Sequence, residues 1–140
     1  MPLTPYTLID HTADLGIIIH GNDLVDLFQN AGEAVLDLMF QHKVLKKSTS
    51  MNISISGDDL EDLMVQWLGE ILYLFEGERL VVTGIEIYPF TGFTLSAKLK
   101  TVPFEPESHN ILREIKAVTY HQIEVTQRGD QWTARVIFDL

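Results

Sequence analysis

Leu80-Val-Val-Thr-Gly-Ile-Glu-Ile-Tyr88, Pro89-Phe-Thr-Gly92 and Phe93-Thr-Leu-Ser-Ala-Lys-Leu-Lys-Thr101 follow one another without a gap. Two runs rich in β-branched and apolar residues flank a Pro/Gly turn, which predicts a β-hairpin and so an antiparallel pair. A second pair of runs, Ile115–Gln127 and Gln131–Phe138, is joined in the same way across Arg128-Gly-Asp130. Strands joined by hairpins need no crossover helices, and the chain upstream carries only two helical periods. The predicted class is therefore α+β: a largely antiparallel (mixed) sheet of about seven strands packed with two amphipathic helices.

The two helices announce themselves by period. Leu24, Leu27, Phe28, Ala31, Ala34, Val35, Leu38 and Met39 follow i, i+3, i+4 spacing, as do Leu60, Leu63, Met64, Trp67, Leu68, Ile71, Leu72 and Phe75. Gly21-Asn22 forms a turn ahead of the first helix, with Asn22 as the expected N-cap. Gly57-Asp58 opens the second, where Asp58 and Glu61 resemble a capping box. Tyr6–Ile9 and Leu15–His20 read as strands around a loop. Met51–Ser56 alternates apolar and polar, as a half-buried strand does. Residues 42–50 and the stretch from Pro103 to Asn110 read as loops. No internal repeat or low-complexity stretch stands out, and residues 1–140 fit one domain.

Composition narrows the function classes. Hydrophobic residues make up 46% of the chain, which excludes a disordered one. With no cysteine there are no disulfides, thiolate nucleophiles or zinc–thiolate sites. The N-terminal Met-Pro-Leu-Thr-Pro lacks the basic and apolar regions of a signal peptide. No apolar run approaches the ~20 residues that span a bilayer. A cytoplasmic protein without a membrane partner is expected. The net charge is −10 and only Lys43, Lys46 and Lys47 cluster, which argues against stable binding to nucleic acid by this chain alone. These features leave the oligomeric state open.

Three segments stand out chemically. The chain closes with Asp139-Leu140 directly after a strand-like run. That places an Asp side chain beside a free α-carboxylate, and two such groups repel unless a cation or a proton lies between them. Asp10-His-Thr-Ala-Asp14 carries two more carboxylates and an imidazole. By itself it reads two ways: an Asx-turn that orders a loop, or an oxygen ligand for a hard cation such as Ca²⁺, Mg²⁺ or Mn²⁺. Lys116-Ala-Val-Thr-Tyr-His121 also reads two ways. Lys116 is an edge-strand guard, or a cation placed to meet a phosphate or carboxylate. In a continuous strand Lys116, Val118 and Tyr120 share one face. His20, His42, His109 and His121 have no metal-ligand spacing, and no nucleophile elbow, Walker or Rossmann pattern is present. Trp67 and Trp132 read as core.

Taken in order, several segments resemble the archease family. They are Asp10-His-Thr-Ala-Asp14-Leu-Gly16, the Leu24-x-x-Leu-Phe28 helix start and Gly57-Asp-Asp-Leu60 with Trp67-Leu-Gly-Glu-Ile-Leu-Tyr73. Glu114-Ile-Lys-Ala-Val-Thr-Tyr-His121 and Arg135-Val-Ile-Phe-Asp-Leu140 complete the set. The resemblance covers essentially the whole chain. It implies a non-enzymatic activator of an RtcB-type RNA ligase in tRNA splicing and RNA repair, promoting ligase guanylylation and multiple turnover. It implies a divalent cation held by Asp14, Asp139 and the terminal carboxylate of Leu140, with Ca²⁺ the expected ion in a crystal and Mg²⁺ or Mn²⁺ as others. It further implies a ligase or nucleotide contact by Lys116. His11 is expected no closer to the cation than behind its ligands. Leu15, Gly69 and Phe138 depart from the family pattern without touching these positions. A general chaperone and a metal-dependent phosphate-ester hydrolase are the competing readings.

Overall fold

The computed structural model describes residues 5–9, 14–41, 47–107 and 109–140. Both helices form where the apolar period runs: α1 spans Leu24–Met39 and α2 spans Leu60–Glu76. Every expected inward position is buried except the first of each helix, Leu24 and Leu60, which pack partly exposed against the core. Each large apolar side chain buried this way contributes about 1.5–3 kcal/mol.

Both helices are capped one residue later than expected. Asp23, not Asn22, caps α1: its Oδ1 accepts the Asp26 N–H at 2.7 Å, and Asp26 Oδ2 accepts the Asn22 N–H at 2.8 Å. Asp59, not Asp58, caps α2, with Asp62 N–H donating to Asp59 Oδ1 at 2.7 Å and Asp58 N–H to Asp62 Oδ2 at 2.9 Å. The reason is reciprocity. A capping box needs an acceptor three residues after the cap, and from Asn22 that residue is Val25, which has none. Glu61 instead accepts the N–H of Val125 at 3.2 Å.

The strands are β1 (Tyr6–Ile9), β2 (Asp14–Gly21), β3 (Phe40–Gln41), β4 (Thr49–Ser56), β5 (Leu80–Ile87), β6 (Thr94–Pro103), β7 (Asn110–Ile111), β8 (Ala117–Val118), β9 (Glu124–Arg128) and β10 (Gln131–Asp139). The class is α+β as predicted, and every pairing among the described residues is antiparallel. The sheet is not one but three. β1, β2, β10, β8 and β9 form one, β4-β6-β5 a second, and β3-β7 a two-stranded third. The hairpin at residues 80–101 forms as expected, turning through Gly92 at φ +60°.

The expected strand at Ile115–Gln127 does not run through. β8 and β9 both pair with one edge of β10, β9 at its start and β8 at its end. Between them the chain leaves the sheet in a turn, with Gln122 at φ 54° and Ile123 N–H donating to Tyr120 O at 3.3 Å. Strict alternation of faces therefore stops before Tyr120.

An internal repeat also exists, contrary to the sequence reading. Gly21-Asn-Asp-Leu-Val-Asp-Leu-Phe28 and Gly57-Asp-Asp-Leu-Glu-Asp-Leu-Met64 each carry a strand into a helix. The topology repeats with them: β2-α1 followed later by β9-β10 has spatial order β2-β10-β9, and β4-α2-β5-β6 has order β4-β6-β5. The second unit stands inside the sequence of the first. Glycine opens each helix because a Cβ would fall 2.4 Å from Leu27 N at Gly21 and 2.5 Å from Leu63 N at Gly57.

Candidate functional site

The inward side chains of β10 set the site. Val136 and Phe138 are fully buried on one face of β10; Asp139 falls on the other face with Ile137, which is also buried, and only at the strand end, at Asp139, is that face exposed. A one-residue slip would bury the carboxylate, which the core forbids. β10 lies between β2 on one side and β8 with β9 on the other. In that register Asp139 sits directly opposite Asp14, the first residue of β2, and opposite Ala117 of β8. Residues directly opposed in an antiparallel pair share a face, with Cβ atoms about 5 Å apart. Two carboxyl-bearing residues 125 positions apart are thus neighbours (139 − 14).

Lys116 joins the same corner. Its N–H donates to Asp139 O at 2.9 Å, while the neighbouring Ile115 is fully buried and anchors the segment. The Lys116 side chain is exposed. Leu140 follows Asp139, its side chain 46% exposed. The structure therefore brings together Asp14, Asp139, Leu140 and Lys116. Asp10 and His11 lie outside the described residues. Among the described residues no three His, Asp or Glu side chains converge as a metal cluster. The group nominated from sequence has two such side chains. His109 is elsewhere, accepting the Glu105 N–H through Nδ1 at 2.9 Å and stacked on Phe104.

One contact was not foreseen. The turn that breaks Ile115–Gln127 sends Tyr120 to the N-terminus of α2, where its hydroxyl donates to Asp62 Oδ1 at 2.6 Å. Gln66 Nε2 reaches both Asp62 Oδ1, at 3.4 Å, and Tyr120 Oη, at 3.3 Å. Asp26, the counterpart of Asp62 in the repeat, has the same capping role; Asp62 adds this clasp. The Tyr120 hydrogen bond, then the Asp58 N–H, holds the Asp62 carboxyl below its ordinary value. The same bond, followed by burial, pushes the Tyr120 phenol up. A carboxyl held low in the folded state adds stability above its unfolded value and loses it as pH falls through the folded one. Tyr120→Phe should therefore raise the Asp62 pKa toward the usual carboxylate range, and the stability gap to wild type should narrow in acid. Side-chain NMR titration of Asp62 checks this; an unmoved midpoint would show that the clasp does not form in solution. The repeated Gly-x-Asp-Leu-x-Asp-Leu segment was the available sequence signal for Asp62. Nothing local marked Tyr120 as its partner.

Beside the clasp, a groove of ≈ 430 Å³ runs between α2 and β8, with Gly69, Glu70, Tyr73 and Glu76 on the helix side and Lys116 and Val118 on the strand side. Among the described residues, no helix is long and apolar enough to cross a membrane.

The chain resembles known proteins along nearly its full length. The model of the archease protein family matches residues 6–140. Protein archease of Methanosarcina acetivorans is 35% identical over 139 residues, covering 96% of this chain and 95% of the relative. That of Pyrococcus furiosus is 33% identical over 135 residues, covering 94% and 95%. The solution structure of Methanobacterium thermoautotrophicum protein 1598 superposes with a TM-score of 0.78 at 27% identity, covering 99% of this chain and all of that one. The crystal structure of an archease from Thermotoga maritima, described as a possible chaperone, shares the fold with a TM-score of 0.68 at 22% identity, covering 94% of each chain. A family match over residues 6–140, with relatives above 30% identity along the same span, makes this chain a member of the archease family.

Proposed function

We propose that this chain is a cytoplasmic, non-enzymatic activator of an RtcB-type RNA ligase, acting in tRNA splicing and RNA repair by promoting ligase guanylylation and multiple turnover. The observation that carries the reading is the register of β10, which sets Asp139 opposite Asp14 and draws the Lys116 main chain to Asp139. Residues directly opposed across an antiparallel pair share a face, so Asp14 and Asp139 present carboxylate oxygens side by side, which suits a cationic ligand. The donor set is oxygen only: Asp14 and Asp139, joined by the α-carboxylate of Leu140 where the chain ends there. Hard divalent cations take such ligands, Ca²⁺ with its flexible geometry and Mg²⁺ or Mn²⁺ with tighter ones.

A divalent cation bound there would neutralise the carboxylates. Asp14 and Asp139 would then tie the end of β10 to the start of β2. Lys116, exposed at the same corner, presents an ammonium to the ligase or to a phosphate of its nucleotide. Activation follows if this face binds the guanylylation-competent ligase more tightly than the resting one, because only a difference in affinity shifts a conformational equilibrium.

A general chaperone would instead need a contiguous apolar patch. Among the described residues, the exposed large apolar side chains are spread along the chain from Leu8 through Tyr73 and Phe93 to Tyr120 and Leu140. The deciding experiment is ligation by the cognate ligase with RNA in excess. Conversion of a stalled first turnover into many supports the reading. No effect on a ligase that is otherwise active overturns it, and suppression of unrelated clients' aggregation would put the chaperone in its place.

A further inference from the structure

Gly69 sits in the middle of α2, where glycine costs about 1 kcal/mol relative to alanine. Most helix glycines repay that cost by letting another element approach. Gly32 in α1 does so, since a Cβ there would lie 3.0 Å from Trp67 Cζ2 and 2.8 Å from Ile85 Cδ1. At Gly69 a Cβ would meet nothing within 4 Å among the described residues. Packing among the described residues gives no reason for this glycine. It lies on the wall of the ≈ 430 Å³ groove between α2 and β8.

That groove has fixed walls. Gln66, Gly69, Glu70, Tyr73 and Glu76 line it at spacings of three or four residues, one face of α2. Opposite them, β8 is held by its pairing with β10 and by the Tyr120–Asp62–Gln66 clasp at one end. Lys116, on the strand wall, places the groove next to Asp139 and so continuous with the carboxylate corner. The charges of the helix wall choose the occupant. Glu70 and Glu76 repel a nucleic-acid backbone, while a polypeptide carrying a basic residue satisfies them and leaves Lys116 for a carboxylate.

We propose that this groove receives an extended segment of the ligase, with a small or apolar residue seated over Gly69 and a basic residue against Glu70 and Glu76. This rests on the ligase reading above. Gly69 then lets the segment come down to the backbone of α2, and the groove lies within the docking face that carries the carboxylates and Lys116.

The test uses Gly69→Ala, Gly69→Leu and Glu70→Lys in the full chain, each assayed for thermal stability, for half-maximal ligase stimulation and for affinity to the purified ligase. Gly69→Ala should raise Tm by a few degrees because only helix propensity changes. Gly69→Leu fills the groove and leaves Asp14, Asp139 and Lys116 themselves unchanged. It should remain folded and raise the concentration for half-maximal stimulation by about tenfold or more, as loss of a central contact does. Glu70→Lys should weaken binding in the same direction, most strongly at low salt. If wild type stimulates the ligase and Gly69→Leu does so at an unchanged half-maximal concentration, the groove is not the docking site, while the activator reading stands. If wild type fails, the activator reading falls first. If the variants instead alter binding of RNA to this protein alone, measured by anisotropy of a labelled strand, the occupant is RNA and the proposal is overturned.

Discussion

Asp139→Ala is expected to reduce ligase turnover with excess RNA to that of the ligase alone, with no loss of fold. The side chain is exposed and the register of β10 is set by Val136 and Phe138 beneath the sheet, so the strand has no structural need of the carboxylate. A cation-dependent melt separates this outcome from simple misfolding. A ligand at one hundred times its Kd stabilises the folded state by about 2.7 kcal/mol, which corresponds to a shift of roughly 5–10 °C for a chain of this size. Wild type should show such a rise on adding Ca²⁺, and Asp139→Ala should show none. In chelator the order should reverse or vanish, because the variant no longer sets one carboxylate opposite another. A wild-type melt indifferent to Ca²⁺, Mg²⁺ and Mn²⁺ would sink the cation site. Retained stimulation by a folded Asp139→Ala would sink its role in activation.

The helices and the first hairpin were legible because each is written in a local period: apolar residues three and four apart in α1 and α2, alternation and a Pro/Gly turn in β5 and β6. Core side chains such as Phe28 and Trp67 followed from the same period. The caps were misplaced by one residue because two cap-competent residues stand side by side at each helix start, Asn22-Asp23 and Asp58-Asp59; only reciprocity with Asp26 and Asp62 selects between them. The repeated segment was in plain view at Gly21 and Gly57, but its meaning is topological, since one unit interrupts the other. Division into three sheets was not legible, because pairing partners are far apart in sequence and nothing local names them. The break at Tyr120 failed for a related reason. Ile115–Gln127 reads as a good strand, but two segments share one edge of β10 and the connection between them must leave the sheet. As for the site, the residue types of Asp14, Asp139 and Lys116 were visible. The adjacency of Asp14 and Asp139 was implied by the family resemblance and not by any local period; the register of β2 and β10 supplies it, and the Lys116–Asp139 main-chain bond adds Lys116.

The largest effect on stability is expected at Trp67. Its ring is fully buried between the two helices, and its Nε1–H donates to Phe28 O at 2.8 Å. That carbonyl belongs to α1, so the bond ties one repeated unit to the other at the point where their sequences diverge. Where α2 carries Trp67 and Leu68, α1 carries Ala31 and Gly32 at the equivalent positions, and the small pair makes room for the indole. Trp67→Ala removes the ring and leaves a cavity that two crossing helices close only in part, at a cost of about 3–5 kcal/mol. Against a total of about 5–15 kcal/mol this brings the chain near the edge of folding. Gly32→Ala tests the same contact from the other side. Alanine favours the helix by about 1 kcal/mol, but its Cβ would press on Trp67 and Ile85, and overpacking costs about 1–3 kcal/mol. Gly32→Ala should therefore destabilise wild type and should be neutral or better in the Trp67→Ala background, a coupling that a double-mutant cycle in urea reads directly. Gly69→Ala, the same change on the open face of α2, should have the opposite sign. If Trp67→Ala costs under about 2 kcal/mol, or Gly32→Ala stabilises, the helices do not meet through this ring and the packing described for the core is wrong.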